Sequence, residues 1–152
     1  MGTHYKGAEQ EERALNVFIK LMRASESLTS RINRHLTSRN ITVSQFGILE
    51  TLYHLGPLNQ CDIARKILRS GGNITFVIDN LEKSGLVRRE RGKDDRRFFK
   101  VHLTEDGERL ISELFPEVLK IIVNGMETLS NLEQETLGGL CRKLGLKQRE
   151  NR

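Results

Sequence analysis

The sequence contains few of the residues from which disulfide frameworks and metal sites are built. Its two cysteines, Cys61 and Cys141, show neither metal-ligand spacing nor the spacing of a disulfide framework. The histidines are scattered without paired spacing, at His4, His35, His54 and His102. We therefore expect no metal and no cofactor, and free thiols of this kind are typical of the reducing cytoplasm.

Long apolar runs and enzyme motifs are also missing. No apolar stretch approaches the roughly 20 residues that a membrane span needs, and the N-terminus lacks the apolar core of a secretory signal. There is no glycine-rich phosphate loop, Gly-x-Ser-x-Gly elbow or metal-binding helix motif. Asp94 and Asp95 are crowded by arginines, which keeps both carboxylates ionised and unsuited to general acid catalysis. These absences favour a cytoplasmic protein that is neither an enzyme nor a membrane protein.

The stretch from Asn59 to Thr104 has the order of elements of a winged helix-turn-helix. The predicted elements are a helix over 59–68, a turn at 69–70, a helix over 71–83, and β-like segments over 86–91 and 96–103. Asn59 and Ser70 are predicted N-caps, and Gly85 ends the second helix. Helix, turn, helix and charged hairpin, in that order, predict this DNA-binding fold.

The basic charge of the chain is concentrated on the same hairpin. Between Lys83 and Lys100 there are eight basic and three acidic residues, an excess of five that equals the formal net charge of the whole chain. The basic residues are Lys83, Arg88, Arg89, Arg91, Lys93, Arg96, Arg97 and Lys100. A positive charge confined to one hairpin predicts a polyanionic partner, for which double-stranded DNA is the natural choice.

Long helices flank this unit. Some 30 residues from Ala8 to Ser38 form one predicted helix, which exceeds what a small domain needs to cover its own core. A capping box at Thr42 and Gln45 starts the next helix, and two more follow Thr104, the first kinked at Pro116 and the last closed by Gly145. The excess of apolar helix surface predicts burial against a second copy of the chain. We expect a mainly α fold with a small β-hairpin, in which 8–38 and 105–146 form a helical dimerisation region and 42–104 the DNA-binding domain.

The run 71–83 is the predicted recognition helix. Apolar residues recur at spacings of three and four and predict its buried side, at Ile74, Val77, Ile78 and Leu81. Small and amide-bearing residues on the opposite side allow close approach to base edges and offer hydrogen bonds to them. Asp79 and Glu82 are interpreted as solubilising residues or as partners of nearby cations.

Three short motifs resemble the multiple antibiotic resistance regulator (MarR) family. They are Leu81-Glu82-Lys83-Ser84-Gly85, Asp95-Arg96-Arg97 and Leu103-Thr104-Glu105-Asp106-Gly107. The resemblance extends over roughly 15–146 and implies a homodimeric, repressor-type regulator with a recognition helix in the major groove and a wing (88–103) at the minor groove. Two such helices imply a pseudo-palindromic operator, with half-sites about 10 base pairs apart.

The resemblance also implies roles for individual residues. Arg97 would enter the minor groove, where narrow A·T-rich segments concentrate negative potential, and Asp95 would steady it. Phe76 stands where relatives often carry a basic residue. The predicted DNA-contacting residues are Ser70, Gly72, Asn73, Thr75, Phe76, Asn80, Arg88, Arg91, Lys93, Asp95, Arg96 and Arg97.

An effector is implied as well, because the stretch 64–75 and Leu114-Phe115-Pro116 are similar to the quinone- and aromatic-responsive branch of the family. A small aromatic or quinone effector would bind between the dimerisation helices and the DNA-binding lobe. The predicted pocket residues are Phe18, Met22, Phe46, Tyr53 and Phe115.

Two alternatives stay open at this stage. Cys61 lies at the start of a helix, where the helix dipole can activate a thiol, so a redox-sensing regulator is one of them. The other is a winged-helix module that binds proteins and not DNA. The branch that senses organic peroxides is disfavoured, since its reactive cysteine lies in the first long helix and this chain has none there.

Overall fold

Six helices and three strands make up the described part of the chain. The computed structural model describes the backbone of residues 2–67, 71–91 and 99–150, and the side chains of these residues other than 71–73 and 146–150. The elements are α1 (Glu9–Ser38), α2 (Val43–Leu55), β1 (Leu58–Asn59), α3 (Gln60–Lys66), α4 (Gly71–Lys83), β2 (Val87–Arg91), β3 (Phe99–Leu103), α5 (Glu105–Met126) and α6 (Asn131–Glu150). None of these helices is both long and apolar enough to cross a lipid bilayer.

Local side-chain chemistry sets the ends of the helices. Thr42 Oγ1 accepts the Gln45 N–H at 3.2 Å and the Thr42 N–H donates to Gln45 Oε1 at 2.9 Å, so the predicted capping box starts α2. Gly56, with a φ of 75°, ends it in a conformation that favours glycine. Gly85, with a φ of 71°, ends α4 in a Schellman-type turn, in which the next residue donates its N–H to Leu81 O at 2.9 Å.

The three strands form one antiparallel sheet in the order β1-β3-β2. The hairpin was predicted, but β1 was not. It has only two residues, and Leu58 joins the sheet by pairing with Val101 of β3. The wing is therefore attached to the chain between α2 and α3 as well as to the elements that flank it in sequence.

The main core lies under the winged unit. Fully buried side chains come from α2, α3, α4, the sheet and the first half of α5. They include Ile48, Leu49, Ile63, Ile78, Leu81, Val87, Val101 and Ile111. A second, smaller cluster joins the end of α1 to the middle of α5 through Leu36, Ile41, Leu114 and Val118. The winged unit is thus packed against the first half of α5, and α1 packs against the middle of the same helix.

The first turn of α5 contacts the root of the wing through the backbone. Thr104 caps this helix by accepting the Gly107 N–H at 3.1 Å, and the Thr104 N–H donates to Leu86 O at 3.1 Å. The Thr104 hydroxyl also donates to Gly85 O at 2.6 Å. Gly107 is buried against Leu86 O so closely that a Cβ at this position would overlap the carbonyl. The glycine of the Leu-Thr-Glu-x-Gly motif is therefore a packing requirement.

Two predicted boundaries differ from the structure. The last helix does not close at Gly145 but continues to Glu150, because Gly145 keeps a helical backbone instead of the positive φ of a helix-ending glycine. The first strand begins one residue later than predicted, at Val87, whereas residues 96–98 of the second predicted strand lie outside the described residues. Phe99 shares a face of β3 with the buried Val101, but it is 45% exposed because it lies at the distal end of the hairpin, opposite Arg91.

Candidate nucleic-acid interface

Helix α4 separates a core face from a solvent face. The predicted buried stripe is confirmed, with none of its members more than 8% exposed: Ile74, Val77, Ile78 and Leu81. On the other side Thr75 and Phe76 are exposed, and Asn80 is half-buried. Three of the predicted DNA-contacting residues therefore share one outward face of the helix.

Helix α3 is connected to this face by one hydrogen bond. The Gln60 amide Nε2 donates to the Thr75 hydroxyl, which joins the first residue of α3 to the first half of α4. The bond links the two helices of the motif and occupies one side of the Thr75 hydroxyl. Gln60 was not predicted, since its role depends on how the two helices cross.

Strand β2 is locked to α4 by Arg89. Its guanidinium donates to Asp79 Oδ1 at 2.5 Å and to Glu82 Oε2 at 2.6 Å, and its backbone N–H donates to Glu82 Oε1 at 2.9 Å. Burial by itself lowers the pKa of Arg89, but the hydrogen bonds and charges of Asp79 and Glu82 outweigh it and raise the pKa above its ordinary value. Of the two interpretations of Asp79 and Glu82, the structure therefore supports pairing with a nearby cation.

Arg89 is consequently a structural cation in the middle of the basic hairpin. The signal that identifies it is alternation: Val87 is buried, so the second residue after it faces the same side of the strand, toward α4. Carboxylates three residues apart on α4 then meet it. Pairing also lowers the net negative charge of this group from two to one beside the face that would meet a polyanion.

The opposite face of the hairpin carries a separate charged group. Arg88 contacts Glu90, and Glu90 Oε2 lies 3.3 Å from His102 Nε2 on the neighbouring strand. Burial, followed by the positive charges of Arg88 and Lys100, lowers the pKa of His102.

Arg91 lies on the Arg89 side of the strand, nearer the tip of the wing. It is exposed, and its guanidinium carbon is 5.5 Å from the centre of the Phe99 ring. This cation–π contact restricts the arginine while leaving its charge in water. Arg88 and Arg91 therefore present cations on both faces of the hairpin.

Several predicted residues lie outside what the structure describes. Ser70, Lys93, Asp95, Arg96 and Arg97 fall in the undescribed stretches 68–70 and 92–98. Gly72 and Asn73 belong to the first turn of α4, but their side chains are not described. Their proposed contacts with DNA remain predictions.

The two thiols are both free and exposed. Cys61 is the second residue of α3, and Cys141 lies in α6. A redox role for Cys61 stays a prediction that rests on its position at the start of the helix.

The predicted effector residues occupy two different regions. Phe46 packs between both core clusters, and Phe115 packs against the main one. Tyr53 lines a cleft of about 210 Å³ together with Leu52, Pro57, His102, Leu103 and Glu108, which includes none of the other four predicted residues. The His54 ring joins the aromatic group edge-on, 5.2 Å from Tyr53 and 4.6 Å from Phe115. On α1, by contrast, Phe18 and Met22 are 59% and 53% exposed.

Comparison with known proteins agrees with this geometry. The MarR family model matches residues 41–98. MhqR, an HTH-type transcriptional regulator of Bacillus subtilis, is 35% identical over 141 residues, which cover 91% of this chain and 96% of MhqR. The structure of NadR in complex with 4-hydroxyphenylacetate has a TM-score of 0.71 and 30% identity, covering 95% of this chain and 97% of NadR.

The fold is also similar to that of AbsC, a MarR family transcriptional regulator from Streptomyces coelicolor. The TM-score is 0.85 over 96% of this chain and 99% of AbsC, at 19% identity, so this likeness concerns the fold alone. The family and these relatives are transcriptional regulators and not enzymes. With its winged helix-turn-helix, its basic hairpin and a full-length relative at 35% identity, the chain belongs to the MarR family of DNA-binding transcriptional regulators.

Proposed function

We propose that the protein is a ligand-responsive repressor that binds a pseudo-palindromic operator as a homodimer. Helix α4 would enter the major groove and the wing (88–103) the adjacent minor groove, once per subunit. The observation that carries the proposal is that Arg89 joins α4 to the hairpin. The outward face of α4 and the Arg88 and Arg91 side chains of the hairpin are left exposed. A helix and a cationic ribbon held rigidly together suit a duplex, because the helix fits a groove and the cations meet phosphates.

The dimer is inferred from helix α6. Every side chain described in this helix, from 131 to 145, is exposed, including Leu132, Leu137, Leu140 and Leu144. An isolated helix of this length is marginal in water, so its stability requires packing against another surface. Exposed apolar side chains on α1 and α5 offer that surface on a second copy: Leu15, Val17, Phe18, Met22, Leu119, Ile122 and Val123.

An apolar cavity supports the same pairing. It encloses about 240 Å³ between α1 and α5 and is lined by Leu28, Ile32, Ile121, Ile122 and Met126. Leucines of the partner's α6 match its chemistry. Two-fold pairing through these helices would place one winged lobe at each end of the dimer.

The test of DNA binding is footprinting on the DNA upstream of the protein's own gene, followed by affinity measurements at several salt concentrations. Six to ten phosphate contacts would reduce affinity by roughly 10³-fold or more between about 50 and about 200 mM salt. Replacing Arg88 or Arg91 by Ala should lower the salt slope by about one unit for each phosphate that the variant no longer neutralises. Arg142→Ala, on the outer side of α6, serves as the matched charge-removal control and should leave the slope unchanged.

The regulating ligand is proposed to be a small aromatic compound, either a phenolic acid or a quinone. NadR, which is similar over nearly its whole length, was solved in complex with 4-hydroxyphenylacetate. In the dimer, Phe18 and Met22 of the exposed α1 surface could complete a pocket with Phe46, Tyr53 and Phe115. Titration of 4-hydroxyphenylacetate and of benzoquinones against operator binding tests this, with an expected 5- to 150-fold loss of affinity, roughly the range typical of allosteric coupling. No response to any phenol or quinone would remove the effector from the proposal and leave DNA binding intact.

A further inference from the structure

Phe76 is the largest side chain of the recognition helix, and it faces solvent. It is 66% exposed, whereas the four aliphatic residues of the same helix are at most 8% exposed. A phenylalanine left in water gains nothing for folding, since the benefit of an apolar side chain comes from its removal from solvent. Its placement therefore calls for an apolar partner outside this chain.

Two of the polar side chains beside Phe76 have partners within the fold. Thr75 accepts a hydrogen bond from Gln60, and Asp79 pairs with Arg89. Asn80 is half-buried. The outward face of α4 thus presents the exposed Phe76 ring next to a cationic hairpin. Thr75 and Asp79 beside the ring already form hydrogen bonds within the fold.

The chemistry of the duplex narrows the choice of partner. The major-groove edges of the four base pairs present hydrogen-bond donors and acceptors and a single apolar group, the C5-methyl of thymine. A protein partner for the ring would have to approach through the same cationic surface. The excess positive charge around α4 favours the polyanion.

We propose that Phe76 contacts a thymine methyl group in each operator half-site and thereby determines specificity at that base pair. This assignment rests on the proposed DNA-binding function and goes beyond it by naming the base and the atom that are read. It also explains how a position without a charged side chain can discriminate sequence: the ring gains from one methyl group and loses when that group is absent.

The experiment begins with selection of binding sites from random duplex DNA. Each thymine of the selected half-site is then replaced by uracil, which removes only the methyl group and keeps the base pair. Burial of one methyl group is worth about fourfold in affinity, so the wild type should lose about fourfold for one half-site and on the order of fifteenfold for both. One thymine position should account for this loss.

Phe76→Ala should bind the thymine and uracil duplexes equally at that position. Phe99→Ala removes an exposed ring on the same lobe but outside the recognition helix, and it should keep the wild-type preference for thymine. Thermal melts of both variants verify folding, which an exposed side chain should not disturb.

The assignment is overturned if the wild type tolerates uracil everywhere, or if Phe76→Ala retains the full preference for thymine. Either result would leave the proposed operator binding standing. Failure to enrich any duplex in the selection would contradict the proposed DNA-binding function, and the contact between Phe76 and thymine would fall with it.

Discussion

Glu82 holds Arg89 at two points at once. One carboxylate oxygen accepts the Arg89 backbone N–H at 2.9 Å, and the other accepts its guanidinium at 2.6 Å. The acid belongs to α4 and the arginine to β2, so a single side chain fixes the helix and the strand relative to each other. The arrangement separates the hairpin cations into one that holds the lobe together and others that face solvent.

Arg89→Ala should lower both stability and DNA affinity. The substitution leaves Asp79 and Glu82 as unpaired, half-buried carboxylates next to the proposed DNA-binding surface. Since all three side chains retain some solvent exposure, we expect the free energy of unfolding to fall by roughly 1–2 kcal/mol. Urea denaturation measures this decrease, and a fluorescence-anisotropy titration with operator DNA measures the affinity.

Arg88→Ala is the control on the same strand. Arg88 is exposed and pairs only with its neighbour Glu90 among its described contacts, so its removal should change the free energy of unfolding by about 0.5 kcal/mol or less while still reducing DNA affinity. Equal destabilisation by the two substitutions would contradict the division of roles.

Gly107→Ala should destabilise the protein by about 1–3 kcal/mol, because the new methyl group would overlap Leu86 O, a backbone atom that cannot rotate away. Gly138→Ala is the matched control. It lies in α6 with open space around the position, so it should gain up to about 1 kcal/mol from helix propensity. Thermal melts of the two variants should shift in opposite directions, and an unchanged melting temperature for Gly107→Ala would show that the helix and the wing are not in contact there.

The lowered pKa of His102 predicts a loss of stability in acid. Since the folded state binds this proton less tightly than the unfolded chain, the contribution is complete above the usual histidine value of 6.5 and declines as the pH falls below it. Urea unfolding from about pH 7.5 to about pH 5.5 should show this decline in the wild type and a flatter profile in His102→Gln. Lys100→Gln removes one of the charges that lower the pKa and should have the same effect to a smaller extent. An unaltered slope in His102→Gln would assign the acid sensitivity to other groups.

Leu140→Asp should dissociate the proposed dimer. The leucine is 61% exposed in the single chain and lies in the middle of the apolar stripe of α6. Burying a carboxylate there without a partner costs several kcal/mol, enough to shift association at micromolar concentrations. Arg142→Asp introduces the same group on the opposite side of the helix and should stay dimeric. Sedimentation velocity compares the two, and a monomeric wild type would contradict the proposed assembly.

Most of the fold could be predicted from local patterns. The spacing of Ile74, Val77, Ile78 and Leu81 specifies both the existence of α4 and its buried side, and Thr42 with Gln45 marks the start of α2. These signals lie within a few residues and need no knowledge of the rest of the chain. Strand β1 carries no such signal, because two residues become a strand only when β3 lies beside them. The same holds for Gly145. Nothing in its immediate sequence shows that the helix continues through this glycine instead of ending there.

The candidate site was less predictable for a related reason. Arg88 and Arg89 are adjacent and chemically identical, so counting charges does not distinguish their roles, and only Arg88 is among the predicted DNA-contacting residues. Only the crossing of β2 over α4 shows that one of them faces two carboxylates. Alternation along β2 predicts which face of the strand a residue lies on. The residues of α4 that it contacts depend on the tertiary structure.

Helix α5 has 22 residues and spans about 33 Å, and its first turn is joined to the root of the wing by hydrogen bonds to backbone carbonyls. The hydrogen bonds between Glu82 and Arg89 join α4 to that same wing. A tilt of α5 at its far end would therefore carry the wing and α4 with it. In the proposed symmetric dimer, the contact between the subunits would set the distance between the two copies of α4. A ligand that binds at this contact could therefore lower DNA affinity without contacting any residue of the DNA-binding surface.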